Sequence, residues 1–147
     1  MDDCTIRKAL PADADGLSQC LDAAYAEYSA RLDDLPDMTS DCAGKIERHD
    51  VWVAEAGGRI VAGLVLVLGD GFMQLANVAV HPDHRGKGLG KKLLHLAETE
   101  ALRLGFPEMR LNTHAGMPET IGLYTRNGWS QTGRQRNRIA MKKVLRD

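Results

Sequence analysis

The chain is short of several things that would each announce a class of protein. It has three cysteines, Cys4, Cys20 and Cys42, an odd number without metal-ligand spacing, which favours reduced thiols over a disulfide framework. Aromatic residues make up only 5% of it and the formal net charge is −1, so the stacking platform and cationic face of a nucleic-acid binder are missing. Its longest apolar runs, residues 60–68 and 75–80, are strand-sized and far below the roughly 20 residues that span a bilayer; no membrane partner is expected. The start, Met1-Asp2-Asp3-Cys4, lacks the basic and then apolar regions of a secretion signal, and the expected location is the cytoplasm. No His, Cys or carboxylate set has ligand spacing, so no metal is expected. No repeat, low-complexity segment or linker breaks the chain, and 147 residues suffice for one domain over 1–147 with its own core.

What the chain does have is glycine in one telling place. Residues 78–90 read V-A-V-H-P-D-H-R-G-K-G-L-G and run directly into a helical pattern over 89–104. An apolar strand gives way to a polar turn, and glycines then occupy every second position up to a helix start. Unpaired N–H groups at a helix N-terminus, with the positive end of the helix dipole, attract an anion, and Arg85, Lys87, Lys91 and Lys92 add cations. A Walker loop is ruled out because Gly86 and Gly90 are four apart rather than five and Lys92 stands where a hydroxyl is required. A dinucleotide fingerprint built on Gly88 and Gly90 would need a third glycine where Leu93 stands.

Around this loop the periodicity sets an order of elements. A strand is expected over 5–9, then a helix opened by Pro11 with Asp13 or Asp15 and closed before Leu35-Pro36. A short helix capped from Thr39-Ser40-Asp41 ends near His49. Strands follow over 51–55, 59–68 and 72–80, joined by glycine turns into consecutive antiparallel pairs. The helix over 89–104 has an apolar stripe from Leu93 to Leu104 and ends at Gly105 and Pro107. A strand over 109–113 follows a strand–helix crossover and should lie parallel to 72–80. A helix over 118–126 and a closing hairpin from Trp129 complete the chain. Charge is uneven along it: residues 1–60 hold thirteen acids against six Lys or Arg, and residues 126–147 seven bases against one acid. A basic half suits a polyanionic ligand and an acidic half a cationic one, although solvated helix faces give the same imbalance.

The motif Arg85-x-x-Gly88-x-Gly90 between strand and helix, together with this element order, resembles the GCN5-related N-acetyltransferases (GNAT) along essentially the full length. The resemblance implies an α/β fold with a mixed, mostly antiparallel central sheet, two splayed parallel strands and flanking helices. It implies acetyl-CoA as cosubstrate: backbone groups of Val78, Ala79 and Val80 would pair with the pantetheine arm. N–H groups from Arg85, Gly86, Lys87, Gly88, Leu89, Gly90 and Lys91 would hold the pyrophosphate. The segment Leu123-Tyr124-x-x-Asn127-Gly128-Trp129 is similar to the family's Leu-Tyr-x-x-x-Gly-aromatic stretch, which makes Tyr124 the expected general acid toward the departing thiolate. A backbone N–H of Val80 or Ala79 is the expected oxyanion donor.

Two departures qualify the resemblance. Gln74 stands where several relatives carry a glutamate base, and glutamine takes no proton; Glu27, Asp70, Glu119 and His114 are alternatives, as is an amine that arrives neutral. Met117 replaces an asparagine seven residues before the tyrosine, and Asn112 or His114 are candidates for the lost hydrogen bond. The acceptor pocket is expected to draw on Tyr25, Tyr28, Arg31, Asp33, Asp34 and Met38, with Gln74 and His114 bordering it. Tyrosines and acids together suit an amine-bearing small molecule, with protein amines as the other option. None of the three cysteines lies near the glycine loop in sequence, which argues against an acyl-cysteine route. The implied activity is direct acetyl transfer to a primary amine; binding of acyl-CoA without turnover is the alternative that Gln74 and Met117 raise. Homodimers are frequent in the family, but no interface is legible in the sequence.

Overall fold

A computed structural model describes residues 4–145. The residues 1–3 of the acidic N-terminus and the last two of the basic tail lie outside the described residues. The elements are β1 (Thr5–Lys8), α1 (Ala14–Arg31), α2 (Cys42–Arg48), β2 (Asp50–Ala56), β3 (Arg59–Leu68), β4 (Met73–Val80), α3 (Leu89–Arg103), β5 (Glu108–His114), α4 (Pro118–Arg126), β6 (Ser130–Gln135) and β7 (Arg138–Val144). They form one seven-stranded sheet in the order β1-β2-β3-β4-β5-β7-β6, antiparallel except between β4 and β5. Helices cover both faces, so this is the mixed α/β arrangement expected. Among the described residues no helix is long and apolar enough to cross a membrane.

Two apolar clusters fill the two sides. α1 and α2 press Leu17, Cys20, Leu21 and Cys42 onto Val51, Val53 and Val65 of one face. α3 places Leu93, Leu94, Ala97 and Ala101 on the other, against Leu64, Leu66, Met109 and Leu111. The spacing of these positions on α3, three and four apart, is what makes one stripe of the helix apolar. Asp41 does stand at the N-cap of α2, but at φ 55° and with its carboxylate 2.9 Å from Arg48 Nη2.

Of the register shifts in the sheet, the one that bears on the site lies in β4. Val65 pairs with Asn77 but Leu66 pairs with Leu75, so Ala76 is an extra residue, a β-bulge that bends the strand and resets its alternation. Before the bulge Met73 and Leu75 belong to the α3 side; after it Ala79 belongs to the α1 side. Pairing with β5 is confined to Met73 with Met109 and Gln74 with Arg110. Beyond Gln74 the two parallel strands diverge, while β5 stays paired with β7 along its whole length. The edge of β4 that faces β5 therefore has no ladder partner from Leu75 onward, a slot that an extended ligand can fill with main-chain hydrogen bonds.

Candidate active site

Two cavities meet at the gap between β4 and β5. The first, about 540 Å³, is bounded by α1, the outer half of β4, the turn into α3, and α4. Val78, Ala79, Val80, Arg85, Gly86, Gly88, Leu89, Gly90 and Lys91 all line it, so nine of the ten residues expected at the cosubstrate are gathered there. Lys87, the tenth, is exposed in the same turn. Gly88 is the N-cap of α3 at φ 80°, and Gly86 has φ 79°. Both values lie in the left-handed region that side chains disfavour. Gly90 has another reason to be glycine: a Cβ there would stand 3.3 Å from Leu123 Cδ2, so it lets α4 approach α3. The first helical bond of α3 runs from Lys92 N–H to Gly88 C=O at 3.1 Å. That leaves the N–H groups of Leu89, Gly90 and Lys91 without intrahelical acceptors, at the positive end of the dipole.

The turn is tied down from across the cavity, where Arg85 Nη2 donates to the Ala24 carbonyl of α1 at 2.8 Å. Tyr28 of α1 donates its hydroxyl to Glu119 Oε2 at 3.0 Å, and the Arg31 guanidinium lies 5.3 Å from the Tyr28 ring centre. Glu119's own N–H and the Tyr28 hydroxyl hold its carboxyl below the usual range, whereas burial and then Glu119 push the Tyr28 phenol up. Glu119 is thereby a roof contact between α1 and α4 and not a free base.

The second cavity, about 340 Å³, opens on the other side of the neck, between β4, β5, the segment after α1 and the turn joining β6 to β7. Tyr25, Val78, Met117 and Thr120 border both cavities. Tyr25 is buried and donates to Asn77 Oδ1 at 2.6 Å, and Asn77 Nδ2 donates to the Met38 carbonyl at 3.1 Å. Tyr124 lines the second cavity; its ring packs 5.8 Å from that of Trp129. Its hydroxyl has no hydrogen-bond partner among the described residues. Burial pushes the Tyr124 phenol well above its ordinary value, and the neighbouring Tyr25 adds to the shift. It is a phenol that stays protonated and has its donor to spare.

The structure separates the other expected residues. Asp34 and His114 line the second cavity as a pair, with His114 Nε2 2.7 Å from Asp34 Oδ1. His114 Nδ1 accepts the Gly116 N–H at 2.8 Å, so the ring hydrogen is on Nε2 and points at Asp34. Both nitrogens are engaged, and His114 is not a free base. Asn137 Nδ2 holds the other oxygen of Asp34 at 2.9 Å; Asn137 first and His114 second keep that carboxyl below its usual range. Asp33 is exposed and borders neither cavity. Gln74 also stands apart: it is at the zipped end of β4, opposite Arg110. Asn77, past the bulge, is the polar β4 side chain at the neck. It was visible as the lone polar residue in the run 75–80, but its face was not, because this apolar run alternates too weakly to show where a residue is inserted. Met117 is at the neck, Asn112 lines the second cavity, and Met38 both lines it and accepts from Asn77. Among the described residues no three His, Cys, Asp or Glu side chains gather as a metal-binding group.

A model of the acetyltransferase (GNAT) family matches residues 17–129. The chain belongs to this family. The match includes both cavities' helical walls, β4, the glycine turn and Tyr124. Among curated GNAT relatives, an uncharacterised N-acetyltransferase of Escherichia coli (strain K12), YjgM, is 32% identical over 112 residues, 74% of this chain and 64% of the relative. A mouse protein described as probable N-acetyltransferase family 8 member 5 is 35% identical over 105 residues, 67% of this chain and 46% of the relative. The chain thus spans about half to two thirds of these relatives. Among solved structures, the PaiA N-acetyltransferase of Thermoplasma acidophilum in complex with coenzyme A superposes with a TM-score of 0.86, at 19% identity over 96% of this chain and 98% of that one. The ribosomal-protein-S18-alanine N-acetyltransferase of Escherichia coli gives 0.80 at 20% identity, over 98% and 95%. The family supports acyltransferase chemistry in general, and these structures share the fold.

Proposed function

We propose that the protein transfers acetyl directly from acetyl-CoA to a primary amine, with the cosubstrate in the first cavity and the acceptor in the second. The observation that carries this is the divergence of β4 from β5 beyond Gln74 in the same cavity as the unpaired N–H groups of α3. An extended amide chain fits the slot, and a pyrophosphate fits the helix start. One ligand having both parts, with a thioester at its end, brings that thioester to the neck between the cavities. The solved PaiA relative with coenzyme A bound is consistent with such a ligand in this fold.

In the reaction the amine lone pair attacks the thioester carbonyl carbon and the C–S bond then breaks. One proton leaves nitrogen and one is gained by sulfur. Tyr124 offers its hydrogen to sulfur as charge develops there, and recovers one from the proton that nitrogen releases. The carbonyl oxygen, negative in the tetrahedral intermediate, is held by the β4 N–H of Val80, which faces the slot because the next N–H along, that of His81, is bonded to the Val61 carbonyl of β3. Glu119 and His114 are both engaged, Gln74 is at the zipped end of β4, Asp70 borders neither cavity and Glu27 lines the first cavity rather than the acceptor's, so in this reading the amine enters as its neutral minority. The pH profile of kcat/KM should therefore rise toward the acceptor's own pKa and move when the acceptor is changed.

Thermal shift with acetyl-CoA, CoA, ATP and NAD in parallel is the direct test. A ligand at about 100 times its Kd adds about 2.7 kcal/mol, roughly 5 to 11 °C for a chain of this size. A shift of that order with acetyl-CoA or CoA, and a smaller one with ATP and NAD, is expected. Equal or larger shifts with ATP or NAD, or none with CoA, would overturn the reading. A shift without acetylation of any amine would leave a binding protein rather than an enzyme.

A further inference from the structure

The mouth of the second cavity has a charge pattern that acetyl transfer as such does not require. Its one lining carboxylate, Asp34, has its two oxygens taken by His114 and Asn137. Arg136 and Arg138 line the same mouth. Both are exposed, and neither guanidinium has a hydrogen bond or ion pair among the described residues. With the His114 ring carrying one hydrogen, the lining holds one acid against two arginines.

The hairpin turn supplies a second observation. Gln135 pairs with Arg138, so Arg136 and Asn137 form a two-residue loop, and Arg136 has φ 56°. Glycine, asparagine or aspartate is the usual occupant of such a position, and a long side chain there is strained. Strain of this kind persists where surrounding contacts fix it and concentrates at ligand contacts. Here Asn137 pins the turn to Asp34, which keeps both arginines at the mouth. Leu35, Pro36, Met38 and Leu75 give the cavity apolar walls.

We propose that the acceptor is a primary amine bearing a carboxylate and an apolar body. The carboxylate is held by Arg136 and Arg138, the body lies on the apolar walls, and the amine reaches the neck beside Asn77 and Tyr124. Guanidinium pairs bind a carboxylate through charge-assisted, often two-pronged hydrogen bonds. A dication or polyamine would meet the wrong sign. The proposal rests on the assignment of the two cavities to acetyl-CoA and acceptor.

Matched amines with and without the carboxylate test it: phenylalanine against phenethylamine, and 6-aminohexanoate against hexylamine, with the acetylated amine measured by mass spectrometry. In at least one pair the carboxylate-bearing member should have a kcat/KM roughly tenfold or more above its partner. The double substitution R136Q/R138Q should reduce that ratio to about one, while the thermal shift with acetyl-CoA stays as in the wild type. A preference for the bare amines, a preference that survives the double substitution, or no turnover of either pair with the acetyl-CoA shift intact would overturn the proposal. Loss of the acetyl-CoA shift in the wild type would instead overturn the reading beneath it.

Discussion

Tyr124 combines two properties that rarely coincide in a buried tyrosine: its ring is packed into the core against Trp129, and its hydroxyl is left without an internal partner. Packing fixes the ring at the expense of solvation, which is why burial drives the phenol's pKa up. Tyr25 is the instructive contrast, since it is equally buried but its hydroxyl is spent on Asn77. Replacing Tyr124 with Phe removes one donor and leaves the ring packing. It should lower kcat by about 10²- to 10⁴-fold while leaving the Kd for acetyl-CoA within about threefold; initial rates and calorimetry check the two numbers. An unchanged kcat would remove Tyr124 from the reaction. The Leu-Tyr-x-x-Asn-Gly-Trp segment makes Tyr124 legible in the sequence. Asp34 and His114 were legible as polar residues, but their mutual bond spans 80 positions and no local pattern announces it.

Among the elements, the junction of β4, the glycine turn and α3 does most to shape the site. Gly88 at φ 80° ends the turn and begins the helix, and open space surrounds the position of a Cβ there. A Cβ at 88 would meet no protein atom within 4 Å, so the expected effects of a valine are backbone strain of about 1 to 2 kcal/mol and a side chain in the space proposed for the ligand. G88V should melt a few degrees lower than the wild type and lose the acetyl-CoA thermal shift. A full shift in the folded variant would mean that the anion binds elsewhere. The strand–turn–helix order was readable because glycine spacing and the 3.6-residue period are local. The bulge at Ala76 was not, since L-A-N-V-A-V alternates too weakly to show where one residue is inserted. That inserted residue turns Asn77 to the α1 side, where it bonds Tyr25, while Gln74 stays at the zipped end of β4.

Across the whole molecule, the acidic first half is partly paired: among the described residues Asp13, Asp41, Asp50 and Glu55 each have a Lys or Arg partner. Asp13 and Glu55 share Arg7, at 2.7 and 2.8 Å, and Lys8 Nζ is 2.7 Å from Asp50 Oδ1. Glu100 of α3 is buried beside Arg103 at 2.7 Å, which draws its carboxyl down to about 2. Arg7 likewise lowers Asp13. For carboxyls depressed in the folded state, the stabilisation is present above the unfolded value near 4 and is lost as pH falls through the folded value. Asp50 runs the other way, because burial and then Glu100 raise it; its contribution is fullest at low pH and declines as pH rises. The depressed groups outnumber it, so the melting temperature should fall steadily between about pH 5 and pH 2. E100Q should flatten that fall relative to the wild type in thermal melts across the range. An identical slope would show that Glu100 carries none of it.

The division between the two sources of information at this scale follows from range. Period, turn chemistry and the glycine motif act over a few residues, so the sequence by itself determined the element order, the glycine-rich start of α3 and the tyrosine of α4. The divergence of β4 from β5, the meeting of two cavities at Tyr25 and Met117, and the placing of Arg136 and Arg138 on the second cavity needed the tertiary structure. Each depends on chain segments tens of residues apart, brought together by burial, which is non-directional and leaves no local signature of which side chains will meet.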